Sequence, residues 1–187
     1  MALRVTDFGA RIVSLRVPLA TGERELVLGF DSAEEYQQKD TFIGATIGRV
    51  AGRIAGAHWP YDGVDYQFEA NENDNTLHSG VIGFDQRYWQ ATPAVTPNDV
   101  RVVFTYVSAA GENGFPGQVT AKVTYALDNE NVWRLTYEAV TDAPPLFNPT
   151  NHVYFNLTGD PAQSVAAHQL KVAACLLYTS PSPRDYA

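Results

Sequence analysis

Apolar and polar residues alternate along most of this chain, the period of two that marks strands with one buried face. In "VTAKVTYAL", Val119, Ala121, Val123, Tyr125 and Leu127 point one way, while Thr120, Lys122 and Thr124 point the other. "VWRLTYEA" sets Trp133, Leu135, Tyr137 and Ala139 against exposed Arg134, Thr136 and Glu138. The polar link "DNEN" makes these two runs a hairpin. "RVVFTYV" is apolar on both sides, which predicts a central strand. "HWPYDGVDYQF" reads as a second hairpin turning at Asp62-Gly63, and "ARIVSLRV" and "RELVLGF" bracket a turn at "PLATGE". One short helix is expected, where Ser32 caps and Glu35 completes the S-x-x-E box of "SAEEYQQK". Short strands in number with a single helix predict an all-β domain, an antiparallel sandwich or barrel.

Composition narrows the class of partner. The 187 residues carry a net charge of −8, against the basic face that nucleic acid or an anionic membrane surface would need. No apolar run reaches the length of a membrane span, and "MALRVTDFGARIV" lacks the regions of a signal peptide. A cytoplasmic protein is expected. The last stretch, "CLLYTSPSPRDYA", loses the alternation and holds Pro181, Pro183 and the single cysteine, Cys175. It reads as a disordered tail or, more sharply, as translated sequencing adapter, which would divide the chain into a domain over 1–174 and a non-native tail over 175–187. Arg184 and Asp185 cancel, so the charge argument does not depend on the tail.

Three stretches hold candidate chemistry. In "NPTNHVYFNL", a strand would place His152, Tyr154 and Asn156 on one face and Val153, Phe155 and Leu157 on the core side. His152 is then a packed strand residue, a metal ligand or a proton donor. In "NENDNTLHSGVIGFDQRYW", His78 lies in a loop rich in asparagine and glycine, the setting of many sites and equally of hydrogen-bonded loop histidines. In "IGRVAGRIAGAHW", Arg49 and Arg53 stand among glycines, and a guanidinium can fork two bonds to sugar hydroxyls or a carboxylate. Metal-ligand spacings such as HxH, HExxH or paired cysteines are absent, as is a G-x-S-x-G elbow. "GENGFPG" does not match a phosphate-binding loop. His58 and His168 read as surface residues.

Taken in order, "GRVAGRIAG", "NTLHSGVIGFDQRYW", "GENGFPG" and "TNHVYFNL" resemble the aldose 1-epimerase, or mutarotase, family over roughly Phe8 to Ala174. The resemblance implies an antiparallel β-sandwich, the galactose mutarotase-like supersandwich, incomplete at both ends. It implies interconversion of the α and β anomers of hexoses such as galactose or glucose by acid/base ring opening, with no cofactor and no metal. The implied partner is a small aldohexose. By resemblance His152 is the acid that protonates the ring oxygen, His78 and Arg53 hold and polarise the sugar, and Asn75 joins them in binding. The family's glutamate base and an aspartate that grips hydroxyls lie beyond the end of this chain, so the chain alone is expected to be inactive. Glu69, Glu72 and Glu112 lie near the motifs without matching that base. A non-catalytic carbohydrate-binding relative on the same fold is the alternative. Two positions depart from the family pattern: Gly52 stands where an asparagine is usual, and Ser79 where a glycine is usual.

Overall fold

A computed structural model describes residues 1–39, 42–144 and 146–171. The separate tail expected over 175–187 lies outside the described residues. Among the described residues thirteen strands carry the fold: β1 (Ala2–Thr6), β2 (Arg11–Leu19), β3 (Gly22–Glu25), β4 (Thr46–Ile47), β5 (Arg53–Ile54), β6 (His58–Tyr61), β7 (Val64–Gln67), β8 (Thr76–Leu77), β9 (Gln90–Val95), β10 (Asp99–Ser108), β11 (Val119–Asp128), β12 (Trp133–Thr141) and β13 (Thr150–Asn151). The helix α1 (Ala33–Gln38) carries the expected capping box, with Ser32 and Glu35 bonding each other's backbone. The described strands pair into five antiparallel sheets, in the orders β1-β2-β3, β12-β11-β10-β9, β13-β4, β5-β8 and β6-β7. The all-β antiparallel reading of the sequence holds.

One core joins the two larger sheets. Ile12 and Leu15 from β2 pack with Phe104 from β10 and with Val119, Ala121, Val123 and Tyr125 from β11. Ile12 and Leu15 are three apart yet both buried. A bulge between the β1 and β2 registers, where Val5 pairs Ile12 but Arg4 pairs Ser14, supplies the extra residue. The β11–β12 hairpin and the β6–β7 hairpin stand where the alternation put them. At the second, Asp62 and Gly63 both take positive φ, 49° and 77°, which a two-residue turn matching the strand twist demands. β10 lies inside its sheet as expected, although Val107 on its outer side remains 51% exposed.

Four local expectations are corrected. The hairpin at "PLATGE" is tighter than it reads, because Leu19 pairs with Gly22. "RELVLGF" does not continue as a strand past Glu25. Its carboxylate turns back onto the backbone, accepting from Leu15, Leu26 and Val27 N–H, beside one last rung from Leu26 N–H to Leu15 O. Ala139 is exposed rather than buried, since β12 is an edge strand and its end overhangs the core. The stretch 152–157 is extended without being a regular strand, and of its apolar side only Val153 packs against the core: Phe155 and Leu157 are 45% and 48% exposed while Asn156 is buried. Asn156 is drawn inward because its amide nitrogen donates to Asp160 and Gln163 carbonyls and its amide oxygen accepts from Thr158 N–H and Oγ.

Candidate active site

Two extended segments bring His152 to its place. Its N–H donates to Ala45 O at 2.8 Å, and its carbonyl accepts from Gly44 N–H at 2.9 Å. The preceding residue, Asn151, donates its amide to Gly44 O and to the Tyr125 hydroxyl, both at 2.9 Å, and that hydroxyl donates in turn to Ala10 O. The core tyrosine of β11 therefore fixes the backbone next to His152. Burial pushes the Tyr125 phenol far up, so it stays a donor at any ordinary pH.

His78 arrives from the other side. It follows β8 directly and starts a turn of three positive φ values: 53° at His78, 74° at Ser79 and 107° at Gly80. That turn swings the imidazole off the strand line. Its backbone N–H donates to Gly52 O at 2.9 Å, continuing the β5–β8 ladder by one step. Ser79 is locked beneath by accepting from Val50 N–H at 2.7 Å and donating to Val50 O at 3.0 Å. "GENGFPG" braces the same loop: Asn113 donates its amide to Ile82 O, and Gly114 lies so close to Gln67 O that a Cβ there would stand 2.1 Å away.

The two histidines meet. Their ring centroids are 5.4 Å apart and the rings are perpendicular. Phe42 touches both, edge-on to His78 at 4.9 Å and near-parallel to His152 at 5.7 Å. Tyr154 lies 5.1 Å from His152, on the face where the sequence put it. Burial, with the nearby His152 and Arg53 charges, lowers the His78 pKa to about 4. The ring is thus neutral at physiological pH.

Arg53 stands on β5 opposite Leu77, one residue before His78 in the partner strand. Its guanidinium forks onto Glu72, with both bonds at 2.5 Å. Each partner favours the other's charge: the bond to Glu72 raises the arginine pKa, and the bond to Arg53 lowers that of the carboxyl. Asn75 is half-buried nearby, its amide oxygen accepting from Gly56 N–H at 3.2 Å. Arg49 plays a different part. It is 3% exposed and donates to Ser108 Oγ and to the Ser108, Ala109 and Pro116 carbonyls, a staple between β10 and the loop that follows. Glu112 is bound by Arg87, Tyr106 and Ser108. His58 is exposed beside Asp65, as expected for a surface residue. His168 departs from that reading: it is half-buried and its Nε2 accepts from Leu157 N–H at 2.8 Å.

Sequence reasoning missed Phe42. No motif flags it, because the pairing of 44–47 with 150–152 that carries it to the histidines joins residues about a hundred apart. Two concavities of about 290 and 270 Å³ lie elsewhere, around Ser14, Glu25 and Asn156 and around Phe8, Ser32 and Tyr36. Neither gathers proton-transfer groups comparable to the histidine pair. Among the described residues no group of three or more His, Cys, Asp or Glu comes together as a metal site would require, and no helix is long and apolar enough to cross a membrane.

Known proteins match along nearly the whole chain. A family model described as aldose 1-epimerase matches residues 1–183. The aldose 1-epimerase of Escherichia coli (strain K12) is 42% identical over 175 residues, which cover 93% of this chain and 49% of that protein. The galactose mutarotase of Homo sapiens is 39% identical over 171 residues, covering 91% and 48%. Among solved structures, the galactose 1-epimerase from Lactobacillus acidophilus NCFM superposes with a TM-score of 0.77 at 36% identity, over 83% of this chain and 46% of that one. An aldose epimerase homologue from C. elegans gives 0.76 at 33%, over 84% and 48%. The chain spans about half the length of the relatives it matches.

Proposed function

The chain belongs to the aldose 1-epimerase family, and from that membership we propose that the protein interconverts the α and β anomers of an aldohexose such as galactose or glucose. The observation that carries the reading is the perpendicular pair of imidazoles 5.4 Å apart, with Arg53 beside them. Mutarotation needs a base to take the proton of the C1 hydroxyl and an acid to protonate the ring oxygen as the C1–O5 bond breaks. The open-chain aldehyde then turns about C1–C2 and closes on its other face, with both protons returned. His152 is the acid in this proposal. His78, Arg53 and Asn75 hold and polarise the sugar. The reaction moves protons alone and calls for neither a hydride acceptor nor a metal.

Neither Glu72 nor Glu112 is placed to act as the base. Glu72, whose charge reaches His78, has both oxygens on Arg53, and Glu112 is taken up by Arg87, Tyr106 and Ser108. Residues 1–187 alone are therefore expected to bind sugar weakly and to turn it over near the rate of buffer. A form extended to the relatives' full length is expected to be active, and there His152→Ala lowers kcat by about 10²–10⁴ with a much smaller change in KM. Polarimetry on freshly dissolved α-galactose decides. Normal turnover by the extended His152→Ala protein would remove the assigned role. Binding without turnover by the extended wild type would favour a non-catalytic sugar-binding relative.

A further inference from the structure

We propose that the Gly52 backbone N–H and the Phe42 ring are positioning groups that hold His78 as an Nε2–H hydrogen-bond donor, leaving His152 as the imidazole that moves a proton. The proposal deepens the epimerase reading and rests on it only for the identity of the ligand, a sugar hydroxyl or ring oxygen.

Both backbone groups of Gly52 are engaged by the same residue. Its carbonyl accepts from His78 N–H at 2.9 Å, and its N–H donates to the His78 ring Nδ1 at 3.1 Å. A ring nitrogen that accepts a hydrogen bond holds its lone pair, so the proton of the neutral imidazole stands on Nε2. The bond closes at the end of the β5–β8 ladder, one step past the Arg53–Leu77 pair, where His78 N–H already holds the Gly52 carbonyl. Protonating Nδ1 would set two donors head to head and break that contact.

Three charged or titratable neighbours bear on the ring. Arg53 on β5 and His152 on the 150–154 segment both oppose a positive charge at His78. Glu72, from the loop before β8, favours it, but its two oxygens are committed to Arg53. Phe42 adds the remaining bias. Its ring lies against the His78 imidazole, and its apolar surface there adds to the burial that disfavours the charged form of that ring. Phe42 is itself set firmly. It adopts φ 52°, its carbonyl accepts from Ala45 N–H, and the next carbonyl, of Ile43, accepts from the buried Arg11 guanidinium.

The chemical consequence is a division of labour. An Nε2–H fixed in direction donates to a sugar oxygen and stabilises negative charge as it develops there. It does not accept a proton at neutral pH, and it does not shuttle one. Two chemically identical side chains thereby take different roles because one has a backbone donor at Nδ1.

Long-range proton–nitrogen NMR on the chain labelled with ¹⁵N-histidine tests this without any need for turnover, with His78→Gln assigning the signal. The expected result is an Nε2–H pattern for His78, unchanged from about pH 8 to about pH 5, with protonation only near pH 4. Phe42→Ala should raise the His78 midpoint toward about 6.5, the value of a free imidazole, and Phe42→Leu should raise it less because it keeps an apolar cover. An Nδ1–H pattern, or titration of wild-type His78 near 6.5, would overturn the proposal. An unmoved midpoint in a folded Phe42→Ala chain would overturn the part given to Phe42. Should either variant fail to fold, the wild-type tautomer still decides the part given to Gly52. The Nε2–H pattern together with a full-length protein that does not mutarotate would sink the epimerase reading and leave this one standing.

Discussion

Ser79 shows how one substitution can be absorbed within a strained turn. Its φ of 74° lies in the region that glycine reaches freely and other residues reach at a cost. The hydroxyl offsets that cost by bonding both the N–H and the carbonyl of buried Val50. Ser79→Ala keeps the strain and orphans two buried backbone groups, so it should destabilise by about 1–3 kcal/mol. Ser79→Gly loses the same bonds but removes the strain, and should lie about 1 kcal/mol above the alanine variant; urea midpoints would rank them, and equal midpoints would show that the backbone strain costs nothing. The same logic marks the limit of the sequence at this scale. Resemblance located His78, His152 and Arg53, and spacing put Tyr154 beside His152. The difference proposed between the two histidines was not legible, because it depends on which backbone N–H meets Nδ1. Arg49 and Arg53 look alike in "GRVAGR". Only their surroundings separate a buried staple from an exposed arginine paired with Glu72.

Among the elements, the hairpins were legible and the irregular segments were not. A hairpin advertises itself, because alternation and a turn are both local in sequence; β11 with β12 and β6 with β7 follow that rule. The stretch 152–157 carries an equally clear alternation and breaks it. The backbone is extended, but its partners are the single rungs at Ala45, Leu26 and Leu28 rather than a full strand, so no sheet face enforces the pattern. Asn156 then wins the interior through four polar contacts that close the turn to Gln163. Asn156→Leu therefore tests which force governs. If burial of apolar surface decided, leucine at this buried site would be neutral or better. The hydrogen bonds predict the opposite: Gln163 O and Thr158 N–H lose their partner, Asp160 O and the Thr158 hydroxyl keep only each other, and stability should fall by about 2 kcal/mol or more, with faster proteolysis confined to 156–168. An unchanged melt would return the segment to the simple two-faced strand.

The whole molecule carries the site's electrostatics into its stability. His78 has a folded pKa of about 4 against about 6.5 when unfolded, so below 6.5 the unfolded chain binds the extra proton. The contribution is fully present above pH 6.5 and is lost as pH falls from there toward 4. His78→Gln should flatten the loss of stability between about pH 7 and pH 5, read from urea midpoints at the two values; an identical slope would mean that the ring is not held neutral. Solubility is decided elsewhere, at the two edges of the four-stranded sheet. β9 is exposed along its whole length, but Pro93 within it removes a donor and guards that edge. β12 has no proline and carries Val140 at 75% exposure on its outer face. Edge pairing between copies should therefore run through β12. A charge there obstructs strand addition at little cost to the fold, since the side chain packs against little. Val140→Lys is expected to lower light scattering of the concentrated chain, and Val95→Lys on β9, where the exposure is 80%, to change it much less. Equal effects would point to general charge rather than the β12 edge as the cause.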